Sequence, residues 1–206
     1  MKTALLLVDI QNDFSPSGAL PVPQGDKIVP VVNKLLDRFD LVVATLDWHP
    51  ENHGSFVTQH KGKEPGELVE LAGIPQIVWP VHCVQESDGA KFIESLQTNK
   101  IDHVVHKGTH VDVDSYSGFF DNQKINDTGL AEHLRSQGID KVYVTGLATD
   151  YCVKFTALDA VELGFETYVI TDATKGVNMS PGDVEAALQV MAGAGCTLVT
   201  SQQLME

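Results

Sequence analysis

Short β-type runs alternate along this chain with amphipathic segments of helical spacing, and that alternation most narrows what it can fold into. Thr3 to Val8 reads as a strand buried on both faces. Asp26 to Phe39 reads as a helix, because Ile28, Val29, Val32, Leu35, Leu36 and Phe39 recur at helical intervals. Pro30 sits in its first turn, where proline is tolerated. Leu41 to Leu46 is the next strand. Ala90 to Gln97 has a helical pattern, His103 to His106 a strand-like one. A helix (Gly129 to Gln137), a strand (Lys141 to Thr145), a helix (Tyr151 to Leu163) and a strand (Thr167 to Ile170) follow. A helix (Asp183 to Ala194) and a strand (Thr197 to Thr200) complete the series. The pattern predicts βαβ units: a Rossmann-type, three-layer α/β/α arrangement with a parallel sheet between two layers of helices. At 206 residues, 1–206 read as one domain.

Such sheets bind ligands beyond the carboxyl ends of their strands. The polar candidates fall in that register. Asp9 ends the first strand, Asp47 the second and Lys107 the third, while Cys152 lies just past the fourth. Two long irregular stretches, 47–88 with a short helical pattern near Glu67 to Leu71 and 108–126, meet the same edge. Loops of that length inside a compact domain are usually functional.

Cys152 opens a helical pattern directly after a strand. Helix dipole and free backbone N–H groups there favour a thiolate and the oxyanion formed when it attacks a carbonyl. Thr149 and Asp150 are capping candidates. A cysteine is more often a buried, inert side chain. Asp9 as a base and Lys107 as a neighbouring cation make this one a candidate nucleophile. Asp47 and His49 point to one side of an extended segment, and His82 arrives from the same long loop. That mixed set suits Zn²⁺, Mn²⁺ or Fe²⁺, zinc first. His53 is a further candidate ligand, or a supporting or merely polar loop residue. His60, His103, His106, His110 and His133 lack such spacing and read as surface residues. Cys83 beside His82 reads as a buried thiol. Phe14, Trp79 and Tyr116, all on loops at one edge, are candidates to hold a flat ring.

Charge and cysteine usage narrow the setting. A formal net charge of −14 argues against nucleic acid or an anionic membrane as partner. Three dispersed cysteines do not make a disulfide framework and suit a reducing cytoplasm. Ala4 to Val8 meets Asp9 at once, unlike a secretory leader.

The runs Val8-Asp9-Ile10-Gln11-Asn12-Asp13-Phe14, Asp47-Trp48-His49-Pro50, Trp79-Pro80-Val81-His82-Cys83-Val84, Lys107-Gly108 and Gly146-Leu147-Ala148-Thr149-Asp150-Tyr151-Cys152-Val153 occur in that order. Together they resemble the nicotinamidases (pyrazinamidases) of the isochorismatase-like cysteine hydrolase superfamily, over about residues 3 to 200. The resemblance implies a six-stranded, mostly parallel sheet and hydrolysis of nicotinamide, or a similar aromatic carboxamide, to the acid and ammonia, within NAD salvage. It implies a catalytic set of Asp9, Lys107 and Cys152, and one divalent ion on Asp47, His49 and His82 that holds the pyridine nitrogen. It further implies a cis peptide at Leu147-Ala148, an oxyanion hole from the Ala148 and Cys152 N–H groups, and ring contacts from Phe14, Trp79 and Tyr116. By the same resemblance, Tyr151 and Ala148 are candidates to line the pocket and Ser55 a candidate to bond a metal-bound water. Alternatives are another amidase of the superfamily, acting on an N-carbamoyl or different carboxamide, and a non-enzymatic metal- or nicotinamide-binding protein. Self-association through an exposed helix face stays open.

Overall fold

The computed structural model describes residues 1–206. Its elements, in chain order, are β1 (Lys2–Val8), α1 (Val29–Leu35), β2 (Leu41–Asp47), β3 (Leu68–Leu71), β4 (Ile74–Ile77), β5 (His103–Lys107), α2 (Leu130–Ser136), β6 (Ile139–Leu147), α3 (Lys154–Glu162), β7 (Glu166–Lys175), α4 (Asp183–Ala194), β8 (Thr197–Val199) and α5 (Ser201–Met205). Six strands form one sheet in the order β5-β2-β1-β6-β7-β8, with every pairing parallel. β3 and β4 form a separate antiparallel hairpin.

Alternate side chains of a strand face opposite sides of a sheet. Ala4, Leu6 and Val8 of β1 therefore pack with residues of α2, α3 and α4, such as Leu134, Ala157 and Met191. Leu5 and Leu7 pack on the other face with Val29, Val32 and Leu35 of α1. Both faces of β1 are covered, so its sequence is a continuous apolar run rather than an alternating one.

Three expectations are corrected. Glu67 to Leu71 is largely strand β3 of the hairpin, not a helix. Ala90 to Gln97 forms turns rather than a helix; its apolar residues Ala90, Ile93 and Leu96 are buried under β2 and α1 all the same. Helical spacing marked burial there, which a turn-rich loop satisfies equally well. The helix expected over Asp26 to Phe39 is α1 flanked by two 3₁₀ turns, Gly25–Ile28 and Leu36–Arg38.

Register brings the strand ends together. Asp47 is the direct partner of Lys107, and Val8 pairs with both Thr45 and Gly146. At Gly146 the backbones of β6 and β1 come so close that a Cβ would lie 2.1 Å from the Val8 carbonyl oxygen. Only glycine fits, and its φ of 117° lies in the region glycine favours.

Candidate active site

Lys107 is the hub of the site. Its ammonium, fully buried, lies 2.8 Å from Asp9 Oδ2, 2.6 Å from Asp47 Oδ1, 2.8 Å from the Ser115 carbonyl and 3.4 Å from Cys152 Sγ. Burial works against that charge, but the Asp47 and Asp9 carboxylates outweigh it and hold the ammonium well above its usual pKa. Asp9 has φ 47°, a left-handed conformation reached at the turn after β1. The Thr45 hydroxyl donates to Asp9 Oδ1 at 2.6 Å. Burial raises the Asp9 pKa; Lys107 opposes, Asp47 reinforces, and the net is upward.

Cys152 lies in a π-helical turn, Thr149–Val153, that precedes α3. Such turns recur at functional sites. The expected capping differs: no side chain caps this turn. Asp150 instead accepts from the Val177 and Asn178 N–H groups, and Thr149 Oγ1 bonds Thr174 Oγ1. The electrostatic expectation also changes. Burial raises the Cys152 thiol pKa; Lys107 lowers it, but Asp9 and Asp47 push it further up, well above the ordinary range. The thiol thus holds its proton more tightly than an ordinary cysteine, beside a carboxylate able to accept it. The Leu147–Ala148 peptide is cis, as the resemblance implied.

Asp47, His49 and His82 place one ligand atom each within 4.8 Å of one another. His49 Nε2 stands 3.4 Å and His82 Nε2 3.6 Å from Asp47 Oδ2. His49 Nδ1 contacts the Gly108 carbonyl at 2.8 Å, and His82 Nδ1 the Pro80 carbonyl at 2.7 Å. A carbonyl only accepts, so each Nδ1 carries a proton, which in the neutral ring leaves the Nε2 lone pair free for a metal. His49 Nε2 is buried with no hydrogen-bond partner. A buried, unpartnered imidazole lone pair beside a carboxylate fits a divalent ion. His53 is not in this set, but its ligand atom groups with those of His49 and Asp114, also within 4.8 Å of one another. Its ring packs on His49 with centroids 4.2 Å apart, its Nδ1 contacts Ser55 Oγ at 2.8 Å, and its Nε2 faces the Val113 carbonyl at 3.3 Å. Burial lowers the His53 pKa to about 4. Cys83 is buried and outside the set, with its thiol pushed well up by burial.

These groups open onto a small cleft lined by Phe14, Trp79, Tyr116, Tyr151, Ala148 and Cys152, with Asp47 and His82 at one side. Tyr116 Oη accepts from Trp79 Nε1 at 3.0 Å and Gln76 Nε2 at 3.1 Å, so Tyr116 also fixes the indole. Leu20, Val177 and Asp114 line the same cleft and were missed in the sequence. Gln11 was missed as well, although it stands within a quoted motif. Its amide donates to the Asp47 and Ala90 carbonyls and accepts from Asp47 N–H, which ties the β1 and β2 ends together. Asp13 accepts from Cys83 N–H at 2.7 Å and anchors the Phe14 loop to the His82 loop.

The model of the isochorismatase domain matches residues 3–203, and the chain belongs to that family. The nicotinamidase of Escherichia coli K12 is 53% identical over 201 residues, covering 96% of this chain and 94% of the relative. A solved nicotinamidase pyrazinamidase of Acinetobacter baumanii superposes with a TM-score of 0.95 at 45% identity, covering 98% of each chain. The pyrazinamidase of Pyrococcus horikoshii, solved in complex with zinc, gives a TM-score of 0.78 at 43% identity, with 97% of this chain and 99% of that one covered. The resemblance read from the motifs thus holds for the whole fold.

Proposed function

We propose that this chain is a metal-dependent amidase, one catalytic domain over 1–206, that hydrolyses nicotinamide and similar aromatic carboxamides to the acid and ammonia. The observation that carries the reading is the Lys107 ammonium, in contact at once with Asp9, Cys152 and the Asp47 carboxylate of the His49/His82 cluster. One side chain joins a nucleophile to a ring-anchoring centre.

Asp47, His49 and His82 would hold a divalent ion, which we take to be zinc; bound there it would supply a Lewis-acidic anchor for the pyridine nitrogen. Phe14 and Trp79 take the ring between them, and Tyr116 steadies Trp79. The carboxamide then meets Cys152. Asp9 takes the thiol proton as Sγ bonds to the carbonyl carbon. The oxyanion is received by the Ala148 and Cys152 N–H groups. Asp9 returns the proton to the nitrogen, the C–N bond breaks, and ammonia leaves a thioester on Cys152. Water, deprotonated by Asp9, hydrolyses the thioester, which releases the carboxylate and restores the thiol.

Ammonia release from nicotinamide by the purified protein tests the reading, with and without a chelator. Activity is expected, with loss on chelation and recovery on adding Zn²⁺. Activity indifferent to chelation and to metal content points instead to an amidase of the same family that uses no ion.

Gly108 gives a finer test. A Cβ there would lie 2.4 Å from His49 Cε1 and 2.7 Å from Nδ1. Gly108→Ala is expected to tilt the imidazole off its carbonyl and weaken metal binding about 10–100-fold, the usual effect of disturbing such a support. Titration of the apo-protein with Zn²⁺ reads it; unchanged affinity sinks the assignment.

A further inference from the structure

Met179 takes no part in the chemistry above, yet it stands between Tyr151, which lines the cleft, and Gly66. It stands on the segment between β7 and α4. Val177 of that segment lines the cleft. Asp150, two residues before Cys152 and buried, holds the segment down: its carboxylate accepts Val177 N–H at 3.0 Å and Asn178 N–H at 2.7 Å. The fit is close, since a Cβ on Gly176 would lie 2.9 Å from Asp150 Oδ1. From this base Met179 reaches outward. Its sulfur accepts from the Tyr151 hydroxyl at 3.2 Å. Its Cε lies 2.9 Å from where a Cβ of Gly66 would stand. Gly66 N–H in turn bonds the Val78 carbonyl, next to Trp79. Tyr151 meets Trp79 edge to face, with ring centroids 5.0 Å apart. Met179 therefore joins the nucleophile side of the cleft to the arm that carries Trp79, while remaining 46% exposed.

We propose that Met179 is a positioning residue for substrate selection: by holding Tyr151 against Trp79 and bridging to Gly66, it closes one wall of the ring pocket and limits the substituents an aromatic carboxamide can carry. A thioether suits the task. It is apolar, conforms to its neighbours and still accepts one weak hydrogen bond. The inference rests on the reading of the cleft as a carboxamide site.

The test measures kcat and KM of the full chain on nicotinamide and on 5-methylnicotinamide, with Met179→Ala, Met179→Leu and the thermal midpoint of each variant. Met179→Ala is expected to raise KM for nicotinamide about fivefold with kcat within about twofold, and to lower the preference for nicotinamide over the methylated amide about tenfold, the scale on which an apolar wall discriminates one methyl group. Met179→Leu, which keeps the apolar bridge, restores most of the preference. An Ala variant with wild-type KM and preference overturns the proposal. So does one that loses kcat and thermal stability together with no change in preference, because that describes a merely structural residue. A wild-type protein that releases no ammonia from nicotinamide overturns the functional reading instead, a result separate from either.

Discussion

Cys152→Ala is expected to reduce ammonia release from nicotinamide by about 10⁴-fold or more, on the scale seen when a covalent nucleophile is removed. The effect must be chemical rather than structural. The thiol is small and sits at the edge of the α2–α4 side of the core. Its loss leaves the ion pairs of Lys107 with Asp9 and Asp47 in place. The cavity is worth about 1 kcal/mol, at the low end for core truncations, and shifts the thermal midpoint by roughly 2–4 °C in a chain of this size. Circular dichroism and the melting curve should therefore match wild type closely while turnover disappears. Because burial and its two carboxylate neighbours push the thiol pKa up, proton transfer to Asp9 is expected to accompany attack. The pH profile carries the same signature. Asp9 works as a base only when ionised, and its pKa is raised, so kcat/KM is expected to fall on the acid side at a pH above that of an ordinary aspartate, about 3.9. Substantial turnover by the alanine variant would falsify the thioester route.

Lys107→Met should damage fold and activity together. Methionine preserves much of the volume but removes the one cation between Asp9 and Asp47. Two buried carboxylates then lose their shared ammonium, Asp9 keeping only the Thr45 hydroxyl and Asp47 only the His49/His82 side. Removing one partner of a buried ion pair costs about 3–5 kcal/mol. For a chain of this length that is a drop of roughly 6–20 °C in thermal midpoint. Turnover should fall at least about 100-fold, since the variant loses preorganised positive charge beside the reacting thiol. A melting curve and a progress curve on one preparation check both. Unchanged stability would mean that the two carboxylates do not depend on Lys107, contrary to its contacts of 2.8 and 2.6 Å.

How much of this was legible beforehand differs by element. α4 matches the periodicity of Asp183 to Ala194 residue for residue, because one face packs and no special turn interrupts it. Cys152 was placed at the head of a helix, yet the turn that carries it is π-helical, a choice that spacing does not reveal. Glu67 to Leu71 misleads because five residues cannot separate a period of two from one of 3.6. The acid, cation, thiol and D-x-H residues stood out because they end strands in parallel register. Thr45 and Asp114 carried no local signal. Each acquires its role from a neighbour distant in sequence: Thr45 from Asp9, and Asp114 from Gln76, which donates to its carboxylate at 3.0 Å.

The sequence by itself determined the layered parallel sheet, the edge at which the chemistry gathers and the residue types assembled there. Apolar runs and strand ends are local properties, and a parallel sheet turns them into positions. The tertiary structure alone decided that the His53 ring packs tilted on His49 beside the Asp47/His49/His82 set, that Asp150 anchors the Val177–Asn178 backbone rather than capping a helix, and that burial and two carboxylates push the Cys152 thiol pKa up. Those outcomes are sums over groups far apart in the chain. Burial, two carboxylates and one ammonium act on the same sulfur, and only the folded distances between them set the sign of the result.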